Sequence, residues 1–133
     1  MNLDSLDKIF AEKNLLVTTD TRTMKAGDIF FAIKGDNFDG NTFAIEALEK
    51  GASFVVSENR DMPMDDRCLL VDDSLKALQE FASIHREHLD IPIVAITGSN
   101  GKTTTKELTR VVLEKKYKVC ASPASFNNHI GVP

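Results

Sequence analysis

Ile93-Val94-Ala95-Ile96-Thr97-Gly98-Ser99-Asn100-Gly101-Lys102-Thr103-Thr104-Thr105 passes from an apolar run, through a glycine loop, into an amphipathic stretch. The apolar run reads as a strand covered on both faces. The amphipathic stretch after the loop reads as a helix with Leu108, Val111 and Val112 inward. Strand, glycine loop and helix in that order form the setting of a phosphate-binding loop. Glycines let several backbone N–H groups face one anion, and the helix start adds unpaired donors and the positive end of its dipole. Lys102 adds a full charge for the outer phosphates, and Thr103 places a hydroxyl to ligate a magnesium ion. The general pattern G-x-x-x-x-G-K-[ST] asks for glycine where this chain has Ile96, so the loop is a variant. The bland alternative is a strand-to-helix turn in which Gly, Ser and Asn merely turn the chain.

Working outward, strand and helix alternate, which makes the class α/β. The spacing predicts a helix over 3–13 with Leu3, Leu6, Ile9 and Phe10 on one face. A short strand is expected over 15–19 and a buried one over 28–33, ended by Lys34-Gly35-Asp36-Asn37. A helix over 41–50 stops at Gly51. Strands follow at 54–56 and 68–71, then a helix capped by Asp73 or Ser74 with Leu75, Leu78, Phe81, Ala82, His85 and Leu89 as its stripe. Asp90-Ile91-Pro92 interrupts it, and Pro92 marks the expected boundary and hinge. Residues 118–121 are the last strand candidate. Residues 1–89 read as a small complete α/β domain. Residues 92–133 read as the opening β-α-β unit of a P-loop ATP-binding domain, too small to be stable alone, which suggests a fragment.

The whole chain has 133 residues, 16 Lys plus Arg against 20 Asp plus Glu, and a formal charge of −4. At 42% hydrophobic and 27% charged it suits a folded chain rather than a disordered one. The acidity argues against a nucleic-acid partner bound through a basic surface. No apolar run is long enough for membrane insertion, the polar start is unlike a secretory signal, and the cytoplasm is the expected compartment. Cys68 and Cys120 each sit in an apolar run and read as buried free thiols.

Further clusters have two readings each. Asn127-Asn128-His129-Ile130-Gly131-Val132-Pro133 suits a polar site or a loop of turn-forming asparagines. Arg22 in Asp20-Thr21-Arg22 suits a phosphate or carboxylate, or a surface ion pair. Lys34 to Gly40 can hold a ligand or turn the chain. His85 and His88 stand three apart on a helix but lack a third metal ligand. The charges of Lys106, Arg110, Lys115, Lys116 and Lys118 read as a solvated face.

The run 97–105 resembles the ATP loop of the Mur ligases, a family whose loop lacks the usual first glycine in this way. The run 127–133, the Asp20-Thr21-Arg22 cluster with Gly27 to Gly35, and Phe38-Asp39-Gly40 extend the resemblance from about residue 16 onward. They look most like the branch that joins D-alanyl-D-alanine to UDP-N-acetylmuramoyl-tripeptide in peptidoglycan synthesis. The resemblance implies an N-terminal domain for the UDP-sugar-peptide, a central ATP domain and a third domain not represented here. It implies ATP and Mg2+ as cofactors, and a monomer at full length. Gly98, Ser99, Asn100, Gly101, Lys102, Thr103 and Thr104 would bind ATP, with Thr103 on the metal. Thr21, Arg22, Lys34, Asp39, Asn127 and Asn128 would bind substrate, and Lys102 and Asn128 would serve catalysis. Other residues the family uses lie past Pro133, so this chain alone is expected to be inactive and to bind UDP-sugar weakly. The alternatives are another Mur or folylpolyglutamate-type ligase, or a non-catalytic nucleotide-binding module.

Overall fold

The first helix, α1 (Leu3–Lys13), starts at Asn2, whose side chain accepts the Ser5 amide proton at 2.9 Å. It ends at Asn14, the left-handed cap that asparagine tolerates. The computed structural model of the protein describes residues 2–35, 38–63, 65–122, 128 and 130–132. These form two compact units, Met1–Leu89 and Asp90–Val132.

In the first unit α1 leads to β1 (Val17–Thr18) and β2 (Ile29–Phe31). A small antiparallel ladder follows, β3 (Lys34–Gly35) with β4 (Phe38–Asp39), pairing Lys34 with Asp39. The expected helix over 41–50 is in fact a 3-10 turn (Gly40–Phe43) running into a short α2 (Ala44–Glu49). The tight turn follows from a close approach at Gly40. A Cβ there would sit 2.5 Å from the Ile33 carbonyl oxygen and 2.8 Å from its nitrogen, so only glycine fits. Then come β5 (Phe54–Ser57), β6 (Cys68–Leu70) and α3 (Ser74–His88), with Asp73 capping through the Lys76 amide at 2.8 Å.

Strands β1-β2-β5-β6 stand side by side in that order, all parallel, with Phe30 opposite Val55. Neighbouring side chains on β2 point to opposite faces. Phe30 packs with Ala44, Ala47, Leu48 and Val55 on the α2 side. Phe31 meets Phe81 of α3, which in turn meets Phe10 of α1, with ring centroids 5.6 and 5.4 Å apart. The sheet is thus sandwiched between α2 on one face and α1 with α3 on the other. Each fully buried Phe contributes about 1.5–3 kcal/mol.

The second unit departs from expectation. It holds α4 (Lys102–Leu113), and among its described residues there is no strand. The runs 93–97 and 118–121 are not paired, and Val94 is 64% exposed. Leu108, Val111 and Val112, expected inward, lie on the surface, Val112 at 69% exposure. The reason is physical: a strand needs a neighbour for its backbone groups, and a helix needs a sheet for its apolar face. One helix and two lone segments supply neither. Cys120 is likewise exposed rather than buried, and Cys68 is half-buried. Among the described residues no helix is long and apolar enough to cross a membrane.

Candidate functional site

Gly98 (φ 145°) and Gly101 (φ 77°) bend the loop through backbone geometry that other residues seldom adopt. Gly101 caps α4 with no side chain, and a Cβ there would meet nothing within 4 Å. Among the described residues the position beside the Gly101 Cα is therefore open. Among the described residues the backbone N–H groups of Ser99, Asn100, Gly101, Lys102 and Thr104 donate no hydrogen bond. Lys102 Nζ folds back to donate to the Gly98 carbonyl at 2.6 Å, holding an ammonium against the same loop. An array of unpaired amides, a helix N-terminus and a cation suits a phosphate group. Ser99, Asn100, Thr103 and Thr104 are exposed around it.

In the first unit, Lys34 and Asp39 face each other across the β3–β4 ladder. They line an open groove of about 310 Å³ with Asn41, Thr42, Glu58 and Asn59. Glu58 and Asn59 follow the C-terminal end of β5, the edge at which open parallel sheets receive ligands. Asp39 Oδ1 accepts from the Asn41 backbone at 3.0 Å and from Asn41 Nδ2 at 2.8 Å. Those bonds, the side-chain one foremost, hold its carboxyl below the usual range. Glu58 Oε1 accepts from the Ser74 backbone and hydroxyl at 2.8 and 2.7 Å, fixing the start of α3.

Thr21 and Arg22 lie elsewhere in the unit. Thr21 is buried, and its carbonyl accepts from Lys50 Nζ at 3.0 Å, just past α2. The Lys34–Asp39 groove is lined by Asn41 and Thr42, which precede α2, whereas Lys50 follows it. The Arg22 guanidinium forks onto Asp20, with Nη2–Oδ2 at 2.6 Å and Nε–Oδ1 at 2.9 Å. The Arg22 side-chain hydrogen bond is the main cause of the fall of the Asp20 carboxyl to about 2. Asp65-Asp66-Arg67 forms the same turn, with Nη2–Oδ2 at 2.6 Å and Nε–Oδ1 at 3.0 Å. The fork is therefore a local Asp-x-Arg device. The two turns differ in presentation: the Arg22 side chain is 86% exposed, whereas Arg67 is half as exposed and reaches the Leu48 carbonyl.

Asn128 uses Oδ1 to accept from the Ile130 and Gly131 amides at 3.2 and 2.7 Å. Any contact with a ligand falls to its Nδ2. Asn127 lies outside the described residues. His85 and His88 donate from Nδ1 to the two oxygens of Asp7, at 2.8 and 2.6 Å, and join α3 to α1. Among the described residues no group of His, Cys, Asp and Glu is placed to hold a metal ion. Lys106 and Arg110 pair with Glu107, as a solvated face does.

Asn41, Glu58, Asn59 and Lys50 were not singled out by the sequence reading. Their signal was positional: Asn41 follows Asp39-Gly40, and Glu58 and Asn59 follow the C-terminal end of a parallel strand.

Two family models match this chain: the Mur ligase family catalytic domain over residues 16–86 and the Mur ligase middle domain over residues 96–133. UDP-N-acetylmuramoyl-tripeptide–D-alanyl-D-alanine ligases of Bacillus subtilis and Synechocystis are 40% and 43% identical over 119 residues, each covering 88% of this chain and 26% of the relative. A UDP-N-acetylmuramoyl-L-alanyl-D-glutamate–2,6-diaminopimelate ligase of Rickettsia prowazekii is 34% identical over 131 residues, covering 98% of this chain and 26% of that ligase. The chain thus spans about a quarter of the length of these relatives. Among solved structures, MurF ligase from Thermotoga maritima in complex with ADP superposes with a TM-score of 0.77 at 35% identity, over 89% of this chain and 27% of that one. With a parallel α/β sheet, a phosphate-type loop and the family model over 16–86 in agreement, the chain belongs to the Mur ligase family.

Proposed function

We propose that this chain carries the nucleotide-sugar unit and the phosphate loop of a cytoplasmic ligase that joins D-alanyl-D-alanine to UDP-N-acetylmuramoyl-tripeptide. Residues 1–89 receive the UDP-sugar-peptide, through Thr21, Arg22, Lys34 and Asp39. Residues 92–133 begin the ATP domain. ATP phosphorylates the terminal carboxylate of the tripeptide, the amine of D-alanyl-D-alanine attacks the acyl phosphate, and ADP and phosphate leave. The observation that carries this reading is the loop before α4, where among the described residues the amides of Ser99, Asn100, Gly101, Lys102 and Thr104 are unpaired and the Lys102 ammonium lies against the same loop.

In this reading the amides of Ser99, Asn100, Gly101, Lys102 and Thr104 hold the β- and γ-phosphates. The Lys102 ammonium leaves the Gly98 carbonyl for the transferring phosphoryl group and offsets its growing negative charge. Thr103 is the residue of this chain that would hold magnesium through its hydroxyl, and the ion, when bound, would supply neutralisation of the phosphoryl charge. Asn128 and Asn127 would border the reacting groups.

The diaminopimelate ligase match supports a second reading, in which the amine is diaminopimelate and the nucleotide carries a dipeptide. Both readings are tested by a chimera in which this chain replaces the matching part of the Bacillus subtilis relative. Turnover is expected with D-alanyl-D-alanine and UDP-N-acetylmuramoyl-tripeptide. Lys102→Met should lower it by at least about 100-fold, the usual scale for removing a preorganised charge at a reacting group. Unchanged turnover in Lys102→Met contradicts the loop's role. Turnover with diaminopimelate alone selects the second reading.

A further inference from the structure

The groove beside β5 is built around one carboxamide. Asn41 Oδ1 accepts from Ser57 Oγ and from the Glu58 amide, both at 2.8 Å. Its Nδ2 donates to Asp39 Oδ1 at 2.8 Å. Ser57 is itself buried, and its Oγ also accepts the Asn59 amide proton at 3.1 Å. Asn41 therefore bridges the turn after β4 to the end of β5 and fills both lone pairs of its own oxygen. Asp39 Oδ1 is fully engaged with Asn41, by backbone and side chain. Among the described residues its second oxygen, Oδ2, is the acceptor left for a ligand.

Charge narrows what that ligand part is. The lining carries Asp39 and Glu58 against Lys34, a net negative set that repels a diphosphate and favours uncharged hydrogen-bond donors. On the nucleotide-sugar reading above, we infer that Asn41 is a positioning residue. It fixes Asp39 so that Oδ2 accepts a hydroxyl or N–H proton from an uncharged portion of the bound nucleotide sugar, with the diphosphate outside the groove.

Two variants separate the parts of this inference. Asn41→Ala removes the bridge. Asn41→Asp keeps an acceptor for Ser57 and Glu58 and replaces the donor to Asp39 by a second carboxylate oxygen, which covers the case in which Asn41→Ala fails to fold. The chain is titrated calorimetrically with UDP-N-acetylmuramoyl-tripeptide, and the Asp39 carboxyl is followed by carbon NMR against pH. Both variants are expected to bind at least about 10-fold more weakly and to raise the Asp39 midpoint. Adding Asp39→Asn to Asn41→Asp should cost little more, because both act through one group. Wild-type affinity in Asn41→Asp, or full additivity with Asp39→Asn, overturns the positioning role. An unmoved Asp39 midpoint overturns the hold of Asn41 on that carboxylate. A folded wild-type chain that does not bind the nucleotide sugar overturns the reading of the groove instead, whichever way the midpoint moves.

Discussion

Phe30-Phe31 and Ile93-Val94 are similar apolar pairs with opposite fates. The first lies at the centre of a four-stranded parallel sheet with helices on both faces and is 0–1% exposed. The second forms no strand and is 58–64% exposed. Apolar sequence is therefore a statement about what a segment can bury, and neighbours decide whether it does. In the first unit β1 and β5 supply backbone partners for β2, and α2 and α3 cover its faces. The second unit keeps only what is local: one helix, its glycine cap and the loop before it.

Substitutions at matched places should expose this contrast. Phe31→Ala is expected to destabilise the first unit by about 3–5 kcal/mol, read from the midpoint of urea denaturation. Val112→Ala, on the exposed face of α4, should change little, within about 0.5 kcal/mol. A comparable loss at both positions would mean that α4 is buried in solution.

The glycines give a smaller contrast. Gly40→Ala drives a methyl group into the Ile33 backbone and should cost about 1–3 kcal/mol by overpacking. Gly101→Ala meets no neighbour and carries only the left-handed penalty, about 1–2 kcal/mol. It should perturb the α4 start without moving the first unit's denaturation midpoint.

The smallest effect is electrostatic. Asp20 titrates at about 2 rather than 3.8 because Arg22 bonds to its ionised form. A carboxylate with a depressed folded value stabilises above its unfolded value, and this is lost as pH falls from 3.8 through about 2. Carbon NMR should show the low Asp20 midpoint return toward its ordinary value in Arg22→Ala. An unchanged midpoint would contradict the fork.

Most of the first unit was legible in the sequence. The stripe of α3 and the solid apolar run of β2 carry their own periodicity, and Asp73 and Gly51 mark helix ends. The β3–β4 ladder was not, because two-residue strands leave no pattern and the Gly40 contact with Ile33 is a tertiary fact. The Asp7–His85–His88 link was hidden for the same reason: α1 and α3 lie far apart in sequence. In the second unit the sequence pattern described strands that have no pairing partner among the described residues. The candidate site divides similarly. The loop at 98–104 is contiguous and was readable. The groove depends on Asn41 meeting Ser57 and Glu58 across the fold, which no local motif encodes.

The phosphate loop can be tested in the chain as it stands, by titrating Mg-ATP to millimolar concentration and following backbone amides by NMR. Shifts centred on Gly98 to Thr104, and lost in Lys102→Met, are the expected result. Shifts elsewhere at saturation, with those amides unmoved, would contradict a nucleotide cradle at the start of α4.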